Sequence, residues 1–259
     1  MTAARLPRVV LRLHRTALIV WTLFVLGAVA FLVWLNEVEA DRVQAQTTLC
    51  RHASTYCANV FASLDYSSPM GWISSVVYYS FWGVAAWAGA ALIGRELESG
   101  TAQLAWTQGV SPTRWLATKL ALPALALTVG GTLFVFVFRW GWSAHRDLMG
   151  DDWTFNDVFA ARGPALVAWS LCALAVGTLT ALLLRRSLPA LAVSVSVMVV
   201  LNRYMEKHRT DLWPNTPTDR SRHPASHFWP MNLIETGILL TIAALSTTAA
   251  FWSLRRRTA

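Results

Sequence analysis

Arg95-Glu-Leu-Glu-Ser-Gly-Thr-Ala-Gln-Leu-Ala-Trp-Thr-Gln-Gly-Val-Ser-Pro-Thr-Arg-Trp-Leu-Ala-Thr-Lys119 separates two long apolar runs and carries the punctuation of three helices. One apolar run ends at Gly94, and the paired acids Glu96 and Glu98 follow. Gly100 offers the left-handed geometry that stops a helix. Thr101 is placed to cap a new helix of about seven residues, roughly 10 Å long. Gly109 stops that one. Ser111 and Pro112 then supply an N-cap and a first-turn proline, so a further helix begins there. The stretch therefore predicts a helix, a short crosswise helix and another helix, with Trp106 and Trp115 nearby. Such a rigid knob between apolar runs suits contact with a soluble partner.

The composition around it is that of a membrane protein. The 259 residues are 55% hydrophobic and only 14% charged, with fourteen tryptophans; a soluble domain would carry about 25% charge. Apolar runs of about 20 residues recur, which predicts an all-α polytopic membrane protein. The whole chain, 1–259, reads as a single transmembrane domain with six spans: about 17–35, 72–94, 116–138, 164–184, 187–204 and 231–253. Residues 36–71, 139–162 and 202–230 read as loops. The apolar core of the fifth span is short, about 21 Å against a hydrocarbon core of about 30 Å, so it either runs on through Tyr204 or stops early. Gly130-Gly131 in the third span predicts a close neighbour. In residues 1–16, Arg5, Arg8, Arg12 and Arg15 share one helical face and Leu6, Val9, Val10 and Leu13 the other. That is the pattern of an interfacial helix on the lipid bilayer. A signal peptide is the rival, but the run that follows is longer than the usual h-region.

Charge sets an orientation. With both termini, the 95–119 stretch and the Arg185-Arg186 turn on one side, that side holds twelve basic residues and two acids, a net +10. The other holds ten basic residues and twelve acids, a net −2. The positive-inside rule then puts both termini in the cytoplasm. The formal charge of +8 belongs to this arrangement and does not indicate nucleic acid.

Several chemistries are missing. Spans one to five have no ionisable residue within their cores; Glu235 lies about one turn inside span six and reads as an interfacial acid meeting loop arginines rather than a proton relay. No phosphate-binding glycine loop is present, so this chain does not cradle ATP. His208, His223 and His227 share a loop with Asp211 and Asp219, but without a strong metal motif they read as solvated. Cys50 and Cys57 would face an oxidising exterior; a disulfide and two free thiols both fit their spacing, and oxidation is the expectation. Cys172 reads as a small packed residue. Ser75, Tyr79 and Trp82 form an i, i+4, i+7 stripe on span two, with Ser194 and Met198 similarly placed on span five. Ordinary helix packing is the alternative reading of that stripe.

The pattern Glu96-x-x-x-Gly100-Thr101, followed by Ala105-Trp106-Thr107-Gln108-Gly109-Val110-Ser111 and Arg114-Trp115-Leu116-Ala117, resembles the permease subunits of type-2 ATP-binding-cassette exporters. The likeness is to the small six-span form of GC-rich bacteria and is specific over roughly 95–120. The resemblance implies that 95–115 is a coupling segment docking on a separate ATP-hydrolysing subunit. Glu96, Glu98, Gly100, Thr101, Leu104, Trp106 and Gly109 would carry the contact. It also implies a second permease copy, a bacterial inner-membrane location, and ATP and magnesium bound by the partner, with no cofactor in this chain. Spans two and five of two copies would line the path, with Ser75, Tyr79, Trp82, Ser194 and Met198 on it. Glu96 and Glu98, near a helix carboxyl end, call for cations; Arg12, Arg15 or a basic groove on the ATPase are the candidates. The rival functions are a membrane-embedded enzyme using the outer histidines and acids, and a non-transporting anchor of a signalling complex.

Overall fold

Backbone polar groups inside a bilayer must be satisfied within their own segment, so each apolar run becomes a helix. The computed structural model describes residues 15–52, 63–149, 153–214 and 224–258. Helix α1 (Arg15–Trp34) continues through a π turn (Leu35–Glu39) into α2 (Ala40–His52). Helix α3 (Leu64–Trp87) continues through a π segment (Ala88–Gly94) into α4 (Arg95–Glu98). Then come α5 (Thr101–Thr107), α6 (Pro112–Ala144), α7 (Asn156–Ala161), α8 (Ala165–Leu184), α9 (Ser187–His208) and α10 (Phe228–Thr258). The described residues contain no strand. Six helical stretches are long and apolar enough to cross a membrane, so the fold is all-α and polytopic. Most of the lead-in helix expected over 1–16, and the Cys50–Cys57 pairing, lie outside the described residues.

The helices outrun the apolar spans. Much of 36–71, read as a loop, is helical at both ends, and α9 runs on through Tyr204 to His208. Local polar partners allow this. Asn36 Nδ2 donates to the Leu32 carbonyl at 2.8 Å, and the Tyr66 hydroxyl donates to Asn36 Oδ1 at 2.6 Å. Polar residues are thereby carried on a continuing helix, which a count of apolar residues cannot see.

Helix α8 is the hub, packed against α3, its π segment, α6, α9 and α10. Small residues make this possible. At Gly177 an added Cβ would lie 2.7 Å from the Ala85 carbonyl and 2.8 Å from the Ala88 methyl. Helix α1 instead leans on α6: Trp21 Nε1 donates to the Ala126 carbonyl at 2.9 Å. The expected close neighbours of Gly130-Gly131 are Trp21 and Val167, which a Cβ would meet at 2.8 and 3.0 Å. Arg185, at φ 55°, turns the chain from α8 straight into α9.

Candidate coupling site and membrane pathway

The corner between α4 and α6 is built by three local devices. Gly100 stands at φ 74° and Gly109 at φ 88°, so each end of α5 turns through the left-handed region. Ser111 caps α6 by accepting from the Arg114 amide at 3.4 Å, with Pro112 in the first turn. Thr101 is a correction: it does not cap α5. Gly100 holds the N-cap position, and the Thr101 hydroxyl donates back to the Glu96 carbonyl at 3.3 Å. A carbonyl left over at the end of α4 is the nearer unsatisfied group, and the threonine closes it.

Beneath α5 lies an ionic and aromatic floor. One Glu96 oxygen receives Trp115 Nε1 at 3.3 Å; the other pairs with the ammonium of Lys119, which is buried. Trp106 meets Trp115 edge-on at 5.8 Å. Ala102 is buried, whereas Leu104 is 59% exposed beside the exposed Thr101, Gln103 and Thr107. Glu98 reaches Ser187 at the start of α9. Neither acid pairs with Arg15, and Arg12 lies outside the described residues; the cation for Glu96 is Lys119. It was legible only as a lone lysine one turn past Trp115.

The structure joins spans two and five but divides the proposed path residues. Ser194 and Met198 are fully buried in the seam, where the Ser194 hydroxyl donates to the Ala85 carbonyl at 3.0 Å. Ser75, Tyr79 and Trp82 lie on a half-buried face. Ser75 donates to Asp157 at 3.0 Å and Tyr79 to Glu206 at 3.1 Å, while Tyr79 and Trp82 rings lie 4.8 Å apart. Asp157 and Glu206 were missed because their partners are distant in sequence.

Toward the far end, Glu235 is fully buried and meets an arginine, as its neighbourhood suggested. Arg209 Nε and Nη2 reach it at 2.8 and 3.2 Å, and Trp169 Nε1 at 2.8 Å. Arg209 also contacts Asn156 and lies over the Phe159 ring at 4.4 Å. A paired, hydrogen-bonded carboxylate of this kind fastens α8, α9 and α10 together. Among the described residues, no group of three His, Cys, Asp or Glu could hold a metal ion. His208 stacks on Tyr204 and His227 lies edge-on to Trp213; His223 lies outside the described residues.

A family model described as ABC-2 membrane transporter related matches residues 22–209. The chain belongs to this family. The match runs from α1 through the Arg209 turn and takes in the whole α4–α6 corner. No curated protein and no solved structure matches the chain. The protein is thus a multi-pass ABC-2-type permease, a kind of membrane subunit that is generally not itself catalytic.

Proposed function

We propose that this ABC-2 permease is the membrane-spanning subunit of an ATP-driven exporter and engages a separate ATPase through α5. The supporting observation is the asymmetry of that short helix. Its inner face is fixed by Ala102, Trp106 and the Glu96–Lys119–Trp115 cluster, and its outer face presents Leu104. An apolar anchor on a rigid helix suits a groove on a soluble partner. The ATPase binds ATP and magnesium. Closure of two ATPases on two permease copies pushes α5, and the push reaches spans two, three and five. Substrate passes between the copies, with Ser75, Tyr79 and Trp82 on the path and Ser194 and Met198 at its helical seam. The protein sits in the bacterial inner membrane with both termini cytoplasmic.

Co-expression with a candidate ATP-binding-cassette ATPase subunit provides the test. Leu104→Arg should insert normally, yet lose ATPase co-purification and substrate-stimulated hydrolysis. Wild-type co-purification by Leu104→Arg would remove α5 as the docking element.

A further inference from the structure

Helix α1 leans on α6 and touches α3 only sparsely. A cavity of about 1210 Å³ opens between these helices and ends on the α4–α5 corner. Its walls are apolar: Trp21 and Phe24 from α1, Val84 and Trp87 from α3, Pro123 and Leu127 from α6. The α6 lining runs from Trp115 to Leu127. That is about 18 Å along the helix, a little over half of a hydrocarbon core of about 30 Å. The cavity thus has the depth of one leaflet.

One end is polar, with Arg95, Ser99, Thr101 and Gln108. Glu96 and Lys119 also line it, but they neutralise each other. Arg95 is exposed and makes no ion pair among the described residues. Among the described lining residues, Arg95 is thus the charged group with no ion pair, and its charge is positive. An occupant must be apolar for a leaflet's depth and anionic at the end beside Arg95.

We propose that this cleft holds one acyl chain of an anionic phospholipid from the leaflet on the α5 side, with its phosphate at Arg95. An acyl chain moving from bilayer to cleft trades one apolar environment for another, so the headgroup contact supplies the selectivity. The lipid lies against the Glu96–Lys119 pair and the start of α5, and so steadies the corner from the membrane side. The inference does not depend on α5 binding an ATPase, and its test uses the permease alone.

Purified protein is mixed with micelles containing either phosphatidylglycerol or phosphatidylcholine of the same chains, and bound lipid is read by native mass spectrometry. Wild type should retain phosphatidylglycerol roughly fivefold more tightly than phosphatidylcholine, the worth of one arginine beside a net-negative headgroup whose phosphate no choline neutralises. Gly83 lines the cleft, and a Cβ there meets nothing within 4 Å, so Gly83→Phe fills the cleft without a clash at Cβ. It should abolish retention. Arg95→Gln, at an exposed position, should erase the headgroup preference and serves as the measure if Gly83→Phe does not fold. No retention by wild type, equal retention of the two lipids, or a preference surviving Arg95→Gln would overturn the proposal. So would equal retention by wild type and a folded Gly83→Phe, which would put the lipid on the outer annulus. Deleting residues 2–13 tests the chain's own leading segment as the occupant. A large rise in lipid retention on that deletion would overturn the proposal too.

Discussion

The Glu98 carboxylate accepts two hydrogen bonds from Ser187, one from the backbone amide at 2.9 Å and one from the hydroxyl. Glu98 closes α4 and Ser187 opens α9, so the corner carrying α5 is tied to the first turn of span five. A carboxylate at a helix amino terminus meets both an orphan amide and the favourable end of the dipole. The α4–α5 corner is thus fastened to α9 directly, besides its continuity with span two.

Glu98→Ala should free the Ser187 amide. Its hydrogen exchange is expected to rise about tenfold, because an amide losing its partner at a helix end opens locally. The Arg114 amide, capped by Ser111, serves as the internal control and should keep its rate. Unchanged exchange at Ser187 would mean that the two residues are not joined in the membrane.

Glu96→Ala takes the Glu96 carboxylate away from the buried Lys119 ammonium. Removing one member of such a pair costs about 3 kcal/mol or more. Lys119→Met should cost less, because Glu96 is the more exposed partner and can hydrate. The double variant should fall short of the sum of the singles, as contacting residues do. Unfolding of the detergent-solubilised protein measures all three, and strict additivity would deny the coupling.

At Gly100 an added Cβ has room, its nearest neighbour being Gln103 Oε1 at 3.9 Å. The penalty for a side chain is therefore torsional, roughly 1–2 kcal/mol at a left-handed position. Gly100→Val should insert but lose the ATPase and the stimulation of hydrolysis. Gly100→Asn, which tolerates this geometry, should recover much of both. Gln103→Ala and Thr113→Ala should matter little. Wild-type coupling in Gly100→Val would show that the turn does not aim α5.

Thr113 and Ser143 lie near opposite ends of α6, which is 33 residues, or about 50 Å, long. In a background lacking Cys50 and Cys57, Thr113→Cys should resist an impermeant thiol reagent in intact cells. Ser143→Cys should react. The reverse pattern would invert the orientation drawn from the charge count.

What was legible in the sequence was local. Gly100, Gly109 and the Ser111-Pro112 start are fixed by backbone geometry within a turn, so their residue types announce them. Gly130 and Gly131 could be read for closeness, though not for Trp21 and Val167 as neighbours. The ties that hold the corner could be read as a need of Glu96 and Glu98 for partners, but not as particular pairs. Lys119 meets Glu96 from 23 positions away, and Ser187 meets Glu98 from 89. At the far end, Glu235 could be read as an acid meeting a loop arginine, though not as the partner of Arg209 in particular. Helix ends were hidden for another reason. Asn36 and Tyr66 satisfy each other, so polar residues extend helices that hydropathy would end.

The enclosure of α8 imposes an order on biogenesis. Its neighbours include α9 and α10, which leave the ribosome after it. The fourth span must therefore enter the bilayer before two of its walls exist. Its run of alanine, leucine and valine lets it wait in lipid without exposing a charged group. Its small residues can admit the late arrivals at close range. Among the described helices, the far end closes only when Glu235, carried by α10, reaches Arg209 and Trp169. A chain cut short before α10 would leave an arginine with no carboxylate, a mark by which membrane quality control could tell an unfinished permease from a finished one.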